Sequence, residues 1–168
     1  MTNREVVTAF FTSYQRHDYA GMHACLDPGV EFCDLAFESI TGAEVRAMWC
    51  WFCQPTKTRD PVQVPGFEIV KSEGDHLHAE YWVRYSPGAG KLVNYVIRSE
   101  FTLRNGNIVR QIDEPVISDF EFARMAMGFP ACLLALTPAF KPAIRRKMRK
   151  KLDEFTSPSR AKAAANST

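Results

Sequence analysis

The 168-residue chain lacks any long hydrophobic run. No segment reaches the roughly 18 consecutive apolar residues that a membrane-spanning helix needs. The first residues are polar, and Thr8, Thr12 and Ser13 interrupt the apolar residues that follow, so we expect no signal peptide. The five cysteines are an odd number, which without secretory signals favours reduced thiols. With 46% hydrophobic and 24% charged residues, the composition is typical of a soluble, cytoplasmic globular protein.

Motifs for metal binding or redox chemistry are also scarce. Cys50 and Cys53 form one C-x-x-C motif, but it lies near the end of a predicted helix. A helix start is where the dipole would lower a thiol pKa. His76, His78 and Glu80 alternate along a predicted strand, yet a closed structural metal site normally needs four ligands. We therefore expect no metal and no cofactor.

Charge of one sign is concentrated at the C-terminal end. Residues 1–140 hold 12 Lys+Arg and 17 Asp+Glu, a balance of −5, and residues 141–168 hold 9 and 2, a balance of +7, which sum to +2. The charged face of this arm has no interleaved aromatic residues, so we expect no nucleic-acid partner. Its apolar stripe leaves two uses open: packing on the acidic body, which we favour, or lying on an anionic membrane surface. The stripe consists of Phe140, Ile144, Met148, Leu152 and Phe155.

Helical and alternating periodicities predict an α+β order of elements. Apolar spacing and turn residues predict three helices around one short strand, followed by four longer strands. Asn105-Gly106 is a strong two-residue hairpin signal between the last two strands. The helices are predicted at 3–16, 18–26 and 42–54, the strands at 29–34, 67–73, 76–85, 93–103 and 108–117, and an exposed, proline-containing loop at 55–65.

Strict alternation assigns faces to the long strands. Tyr81 shares one face of its strand with small and apolar residues, whereas Trp82 and Arg84 lie on the other face. Tyr95, Ser99 and Phe101 share the mostly apolar face of the next strand. Beyond these strands the pattern turns helical again. We therefore divide the chain into an α+β domain at 1–120, a helical extension at 121–155 and a disordered tail at 156–168.

The order and spacing of several short motifs carry a family resemblance. The motifs are Val7-Thr8-Ala9-Phe10-Phe11 with Asp18-Tyr19-Ala20-Gly21-Met22, Gly29-Val30-Glu31-Phe32-Cys33-Asp34, Thr41-Gly42, and Arg104-Asn105-Gly106-Asn107-Ile108-Val109. Over roughly residues 3–120 the chain resembles the nuclear transport factor 2-like superfamily, in particular its SnoaL-like and ketosteroid isomerase-like branch. The resemblance implies a cone-shaped, highly curved antiparallel sheet packed on N-terminal helices (a cystatin-like roll). That cone would enclose a hydrophobic pocket, and additional C-terminal helices would follow it.

Asp34 is the first catalytic residue that the resemblance implies. Ketosteroid isomerases place a general-base aspartate at the end of the first strand, and that position matches Asp34. A solvated loop acid or a helix cap after the strand is the alternative role. The oxyanion-hole positions match Phe10, which cannot donate a hydrogen bond, and Ser99, which is a weaker donor than a carboxylic acid.

Asp113 is the second implied catalytic residue. It shares a face of the last strand with Gln111, and alignment from Gly106 turns that face inward. SnoaL-like cyclases use a pocket aspartate as acid or base, which Asp113 would match. The alternative is an outward acid paired with Arg98 or Arg110.

These positions predict a small-molecule pocket protein. We expect an isomerase, cyclase or dehydratase-type enzyme that uses a pocket aspartate for proton transfer on an apolar ketone or polyketide-like substrate. The alternatives are a non-catalytic binding module, or a peripheral membrane or interaction protein that uses the basic helix. Relatives with this barrel often pair through the sheet, so we expect a homodimer. The predicted substrate-binding residues are Phe10, Trp49, Tyr81, Tyr95, Ser99, Phe101 and Gln111.

Overall fold

A six-stranded, curved and unclosed sheet packed on N-terminal helices forms the centre of the fold, as predicted. The structure is a computed structural model and describes residues 1–55, 60–88 and 91–157. The elements are α1 (Asn3–Gln15), α2 (Tyr19–Ala24), β1 (Leu26–Cys33), β2 (Ile40–Thr41), α3 (Ala43–Cys53), β3 (Phe67–Glu73), β4 (His76–Gly88), β5 (Lys91–Arg104), β6 (Asn107–Pro115), α4 (Asp119–Met127), a 3₁₀ helix (Ala131–Leu136) and α5 (Phe140–Thr156).

Strand pairing brings the first and last strands together. The order across the sheet is β2-β1-β6-β5-β4-β3, in which β3 to β6 form the predicted antiparallel meander. The β1–β6 pair is parallel and aligns Cys33 with Ile112. Asp34 and Asp113 directly follow these two partners in sequence. The parallel pairing therefore brings together two carboxylates that are 79 positions apart in sequence.

Helix α1 closes the concave side of the sheet. It begins at a capping box in which the Thr2 hydroxyl accepts from the Glu5 backbone N–H. Helix α2 was predicted to run through Leu26, but it ends at Ala24 because Leu26 already belongs to β1. The buried residues of α1, at helical spacing, are Val6, Val7, Phe10, Phe11 and Tyr14.

The predicted faces of the long strands are correct. Tyr81 is 2% exposed on the concave side, whereas Trp82 on the convex side is 39% exposed. The loop prediction for 55–65 is wrong in part, since Val62 and Val64 are buried and Gln63 bridges to Arg84. Residues 56–59 of that loop lie outside the described residues.

The basic helix α5 packs on the acidic body. Phe140 and Leu152 are both 1% exposed, and Met148 packs against the main core. Three ion pairs join basic residues of the helix to acids elsewhere in the chain. They agree with the prediction that the basic arm packs on the acidic body. The pairs are Lys141–Asp119 at 3.4 Å, Arg145–Glu38 at 3.1 Å and Arg149–Glu44.

Two further sequence predictions concern the C-terminal tail and membrane-spanning helices. Most of the tail predicted to be disordered, 158–168, lies outside the described residues. Among the residues that are described, no helix has the length and apolar character needed to cross a membrane.

Candidate active site

Asp113 is the centre of a buried polar cluster on the concave face of the sheet. Its Oδ2 accepts a hydrogen bond from the Tyr81 hydroxyl at 2.5 Å. Its Oδ1 accepts from the Ser99 hydroxyl at 2.5 Å and from Gln111 Nε2 at 3.0 Å. The register pairs Ser99 directly with Asp113, which explains why the two side chains meet. The outward alternative for Asp113 is wrong, because Arg98 pairs with Glu80 and Arg110 with Glu31.

The surroundings of Asp113 act on its ionisation in opposite directions. The residue is 4% exposed, and this burial raises the pKa of its carboxyl from 3.8 to about 6. Without the hydrogen bonds from Ser99, Tyr81 and Gln111 the pKa would be higher still, because donors stabilise the carboxylate. Burial is the larger effect. Asp113 is therefore a carboxylate that ionises just below neutral pH and is held rigidly by three donors.

Asp34 begins a tight turn directly after β1. Its Oδ1 accepts from the backbone N–H groups of Ala36 at 2.8 Å and Phe37 at 2.6 Å, and its own N–H donates to the Phe37 carbonyl at 2.8 Å. This is the local capping geometry expected of aspartate in a turn. In the described part of the chain the hydrogen bonds to this carboxyl use Oδ1, so Oδ2 is not committed to the turn.

The pKa of the Asp34 carboxyl lies near neutral pH. Although the residue as a whole is half-buried, burial of the carboxyl is the largest cause that raises its pKa from 3.8 to about 7. The neighbouring charge of Asp113 raises the pKa further, whereas the turn hydrogen bonds and Arg145 lower it. The two aspartates therefore influence each other, and their titrations are coupled. The turn and the perturbed ionisation are both present, so the capping role does not exclude a chemical one.

A group of four tyrosines adjoins the two aspartates. Burial strongly raises the pKa values of Tyr81 and Tyr95, which keeps both hydroxyls protonated. Tyr81 senses the charge of Asp113, and Tyr95 senses that of Asp34 and hydrogen-bonds Tyr85. Both also interact with Tyr14 of α1. Sequence reasoning missed Tyr14 and Tyr85 as members of this group, although inward alternation placed Tyr85 and helical spacing placed Tyr14.

Aromatic rings fill the interior of the cone beside this cluster. Phe10 is fully buried, with its ring centroid 5.4 Å from Trp49 and 6.1 Å from Phe101. Trp49 in turn lies 5.2 Å from Tyr14. Two open cavities, of about 520 and 280 Å³, lie elsewhere, along the outer side of α1 and beside His78 on the convex face. Neither is lined by an aspartate or tyrosine of the cluster, so the predicted pocket remains a prediction.

Two buried polar atoms inside the cone have no hydrogen-bond partner among the described residues. They are the indole nitrogen Nε1 of Trp49 and the amide oxygen Oε1 of Gln111. A buried donor or acceptor left unpaired costs about 1–3 kcal/mol. One unpaired donor and one unpaired acceptor in the interior of the cone are suited to a small molecule with its own polar groups.

Other cysteine and histidine residues do not join this cluster. Cys50 is half-buried, burial raises the pKa of its thiol, and the five cysteines are free. His23 Nε2 lies 2.9 Å from the Arg46 carbonyl, and burial lowers its pKa. His78 faces Glu100 at 3.8 Å on the convex side. Across residues 1–55, 60–88 and 91–157, no group of three or more His, Cys, Asp and Glu side chains is arranged to hold a metal ion.

Fold and site define an α+β cone protein of the nuclear transport factor 2-like class, with paired aspartates at its inner face. Within that class, the sequence profile of the SnoaL-like domain matches residues 7–111. The chain therefore belongs to the SnoaL-like family. The match includes Asp34 but ends at Gln111, so Asp113 and everything after it lie beyond the matched range.

Solved structures support the same fold at low sequence identity. A candidate polyketide cyclase from Xanthomonas campestris pv. campestris is 20% identical, with a TM-score of 0.59 over 74% of this chain and 96% of that one. An NTF2-like protein of unknown function from Burkholderia pseudomallei is 16% identical, with a TM-score of 0.60 over 76% and 98%. An LEH-like epoxide hydrolase from M. tuberculosis is 18% identical, with a TM-score of 0.55 over 79% and 92%. A comparison with curated protein sequences gives no significant match.

Proposed function

We propose that the protein is an enzyme that transfers a proton on a small apolar ketone or polyketide-like substrate, as an isomerase, cyclase or dehydratase. One observation carries the proposal: burial raises the pKa values of two neighbouring carboxyl groups, Asp34 and Asp113, to about 7 and about 6, and Tyr81 hydrogen-bonds one of them. A general base works best when its pKa lies near the working pH. Perturbed, interacting carboxyls concentrate at catalytic sites.

Asp34 is the proton carrier in this proposal. Its Oδ1 is fixed by the Ala36 and Phe37 amides, which aims Oδ2 without consuming it. The carboxylate takes a proton from the carbon next to the substrate carbonyl. The electron pair of that C–H bond forms the C=C bond of an enolate, and the π pair of the carbonyl moves to its oxygen. Return of the proton to another carbon completes an isomerisation. The neutral acid and the carboxylate are both well populated near pH 7, as such a shuttle requires.

Asp113 has a different role. Its three donors hold it as the fixed neighbouring charge that raises the pKa of Asp34. Because the hydroxyls of Tyr81 and Ser99 already donate to Asp113, they are poor candidates to stabilise an oxyanion. Trp49 is a better candidate, since its indole N–H is buried and unpaired within the described chain. It packs against Phe10, the residue at the oxyanion-hole position implied by the family resemblance.

A non-catalytic binding protein is the second candidate. The observation that favours it is the filling of the cone by aromatic rings, since Phe10, Trp49 and Phe101 pack edge to face. In that case Asp34 would serve only to cap the turn after β1. The two candidates differ in whether a bound ketone exchanges its protons.

Hydrogen–deuterium exchange tests the proposal without knowledge of the product. A panel of cyclic and aryl ketones is incubated with the protein in D₂O at pD 7, and loss of α-proton signals is followed by NMR. We expect exchange above background with the wild-type protein. Asp34→Asn should reduce it by about 10²–10⁴-fold, because loss of a positioned base has this effect. Asparagine keeps the Oδ1 acceptor of the turn, so the variant removes the base and not the cap.

Asp27→Asn is the matched control, because the Asp27 Oδ1 also caps a turn of β1, by accepting from the Gly29 N–H at 2.8 Å. It should exchange at the wild-type rate. Full exchange by Asp34→Asn would reject the assignment of Asp34. Ketones that bind tightly but never exchange would establish the binding protein instead.

A further inference from the structure

Helix α5 brings a cation to the Asp34 end of the cone. Arg145 extends from the second turn of the helix, and its Nη1 lies 3.1 Å from Oε1 of Glu38, four residues after Asp34 in the same loop. One turn further, Arg149 pairs with Glu44 of α3. Helix α5 lies beyond the range 7–111 that matches the family, so the shared domain does not provide this cation.

The guanidinium of Arg145 is only partly paired. Its Nε is buried and has no hydrogen-bond partner among the described residues, and the pairing with Glu38 uses Nη1. Guanidinium N–H groups form planar forks that match the two oxygens of a carboxylate. The Nε–Nη2 edge is such a fork, and Glu38 does not use it. A buried, unpaired donor that belongs to a charged group is costly, and an anionic group of a ligand would satisfy it.

The charge of Arg145 reaches the candidate active site. It lowers the pKa values of both Asp34 and Cys33 at the end of β1. The structure nevertheless shows no ion pair between Arg145 and Asp34 among the described contacts. Asp34 instead commits one oxygen to its own turn. The cation is therefore close enough to act on the site and is not neutralised by the aspartate.

We propose that Arg145 binds a carboxylate of the ligand, so that the site accepts small apolar carboxylic acids such as keto acids in preference to neutral ketones. The reaction of such a keto acid rests on the function proposed above, but its binding does not. The substrate would span from the Nε–Nη2 edge of Arg145 to the Asp34 carboxyl. In this way the C-terminal helix would determine specificity in a fold shared by many chemistries.

Arginine-detected NMR tests the proposal on the full chain. The Nε–Hε signal of Arg145 is assigned by its loss in Arg145→Lys. The protein is then titrated with benzoate and phenylacetate, and separately with the neutral benzamide and phenylacetamide. We expect the acids to shift this signal and the amides to leave it unchanged. Arg145→Ala should weaken binding of the acids by about tenfold or more, as expected when a charge-assisted hydrogen bond is lost.

Arg149→Ala serves as the control, because it removes a neighbouring cation of the same helix that pairs with Glu44 outside the site. It should bind the acids like the wild type. Equal binding of acids and amides, or wild-type binding of the acids by Arg145→Ala, would overturn the proposal, as would the absence of any shift up to tens of millimolar.

Asp34→Asn separates this inference from the proposed reaction. It should still bind benzoate, and more tightly, because a nearby negative charge is removed. Selective carboxylate binding in a protein that exchanges no α-protons would support the Arg145 assignment and reject the enzyme. Exchange of neutral ketones with no selectivity for acids would support the enzyme and reject the Arg145 assignment.

Discussion

At the scale of single residues, one side-chain type is used in two ways. Asp113 has three side-chain donors and almost no exposure, whereas Asp34 has two backbone donors and an oxygen left over. Burial raises the pKa in both cases, and the remaining hydrogen-bond capacity distinguishes them. A carboxylate with donors on both oxygens is suited to hold charge, and one with an oxygen free of donors is suited to move a proton.

The raised pKa of Asp113 predicts how stability changes with pH. The folded-state pKa is about 6, above the unfolded value near 3.8, so the folded protein retains this proton longer. Its contribution to the free energy of unfolding is full below pH 4 and is lost as pH rises through 6, by on the order of 3 kcal/mol. Urea unfolding of the wild type should show this decline between pH 4 and 7, and Asp113→Asn should reduce the slope.

The comparison of the two proteins removes other titrations. His23, with a lowered pKa, contributes in the opposite direction but is present in both. Asp34 is also common to both, although its pKa should fall when the charge of Asp113 is removed. Identical slopes in the two proteins would show that the Asp113 pKa is ordinary.

At the scale of elements, helix α5 is attached by both apolar contacts and ion pairs. The pairs are exposed on the surface, and such pairs typically contribute only 0–1 kcal/mol each. Leu152, at 1% exposure, belongs to the main core. The ring centroids of Phe155 and Trp51 lie 6.5 Å apart. The apolar stripe therefore holds the helix, and the ion pairs orient it.

We expect Leu152→Ala to lower the free energy of unfolding by about 2–5 kcal/mol, as is usual for a buried leucine. Lys150→Ala should change it by less than about 0.5 kcal/mol, because the pair that Lys150 forms with Glu154 is exposed. A chain ended at Pro138 should melt at a lower temperature and bind anionic vesicles no less than the full chain does. Unchanged stability combined with lost vesicle binding would mean that the stripe contacts lipid.

Local rules account for only part of this arrangement. Gln111 and Asp113 are buried, as predicted, but hairpin pairing alone would not place them there, because Leu103 pairs with the buried Ile108 and strict alternation from Ile108 would turn Arg110 inward. A register shift between Thr102 and Leu103 brings Gln111 and Asp113 to the inner face. The parallel pairing of β1 with β6 was not predictable, since nothing near Cys33 specifies a partner 79 residues later. The position of Arg145 was hidden for the same reason: helical spacing gives the face of α5 but not the surface on which the helix docks.

At the scale of the whole molecule, the cone has two unlike surfaces. The concave side is buried under helices, whereas the convex side exposes Trp82 at 39% and Val70 at 59%. Phe129, at 80% exposure, lies in a separate exposed apolar segment near the 3₁₀ helix. Exposed apolar groups on a sheet face suit a symmetric contact between two copies.

We expect a homodimer through the convex face. Trp82→Lys should yield monomers by light scattering at micromolar protein. In an isologous contact the two introduced positive charges would be buried close to each other and would repel. Phe129→Ser should leave the dimer intact. A wild-type monomer mass would contradict this prediction, and loss of the dimer in Phe129→Ser alone would move the interface to the C-terminal segment.

The central claim is that Asp34 is a proton carrier poised near neutral pH. The direct measurement is a ¹³C NMR titration of the aspartate carboxyl groups, with the Asp34 signal assigned by its loss in Asp34→Asn. We predict a pKa of about 7 for Asp34, and a lower value in Asp113→Asn, where the neighbouring charge is absent. An Asp34 pKa near 4 that does not respond to Asp113→Asn would contradict the account, because the carboxylate would then be no more than a cap for the turn after β1.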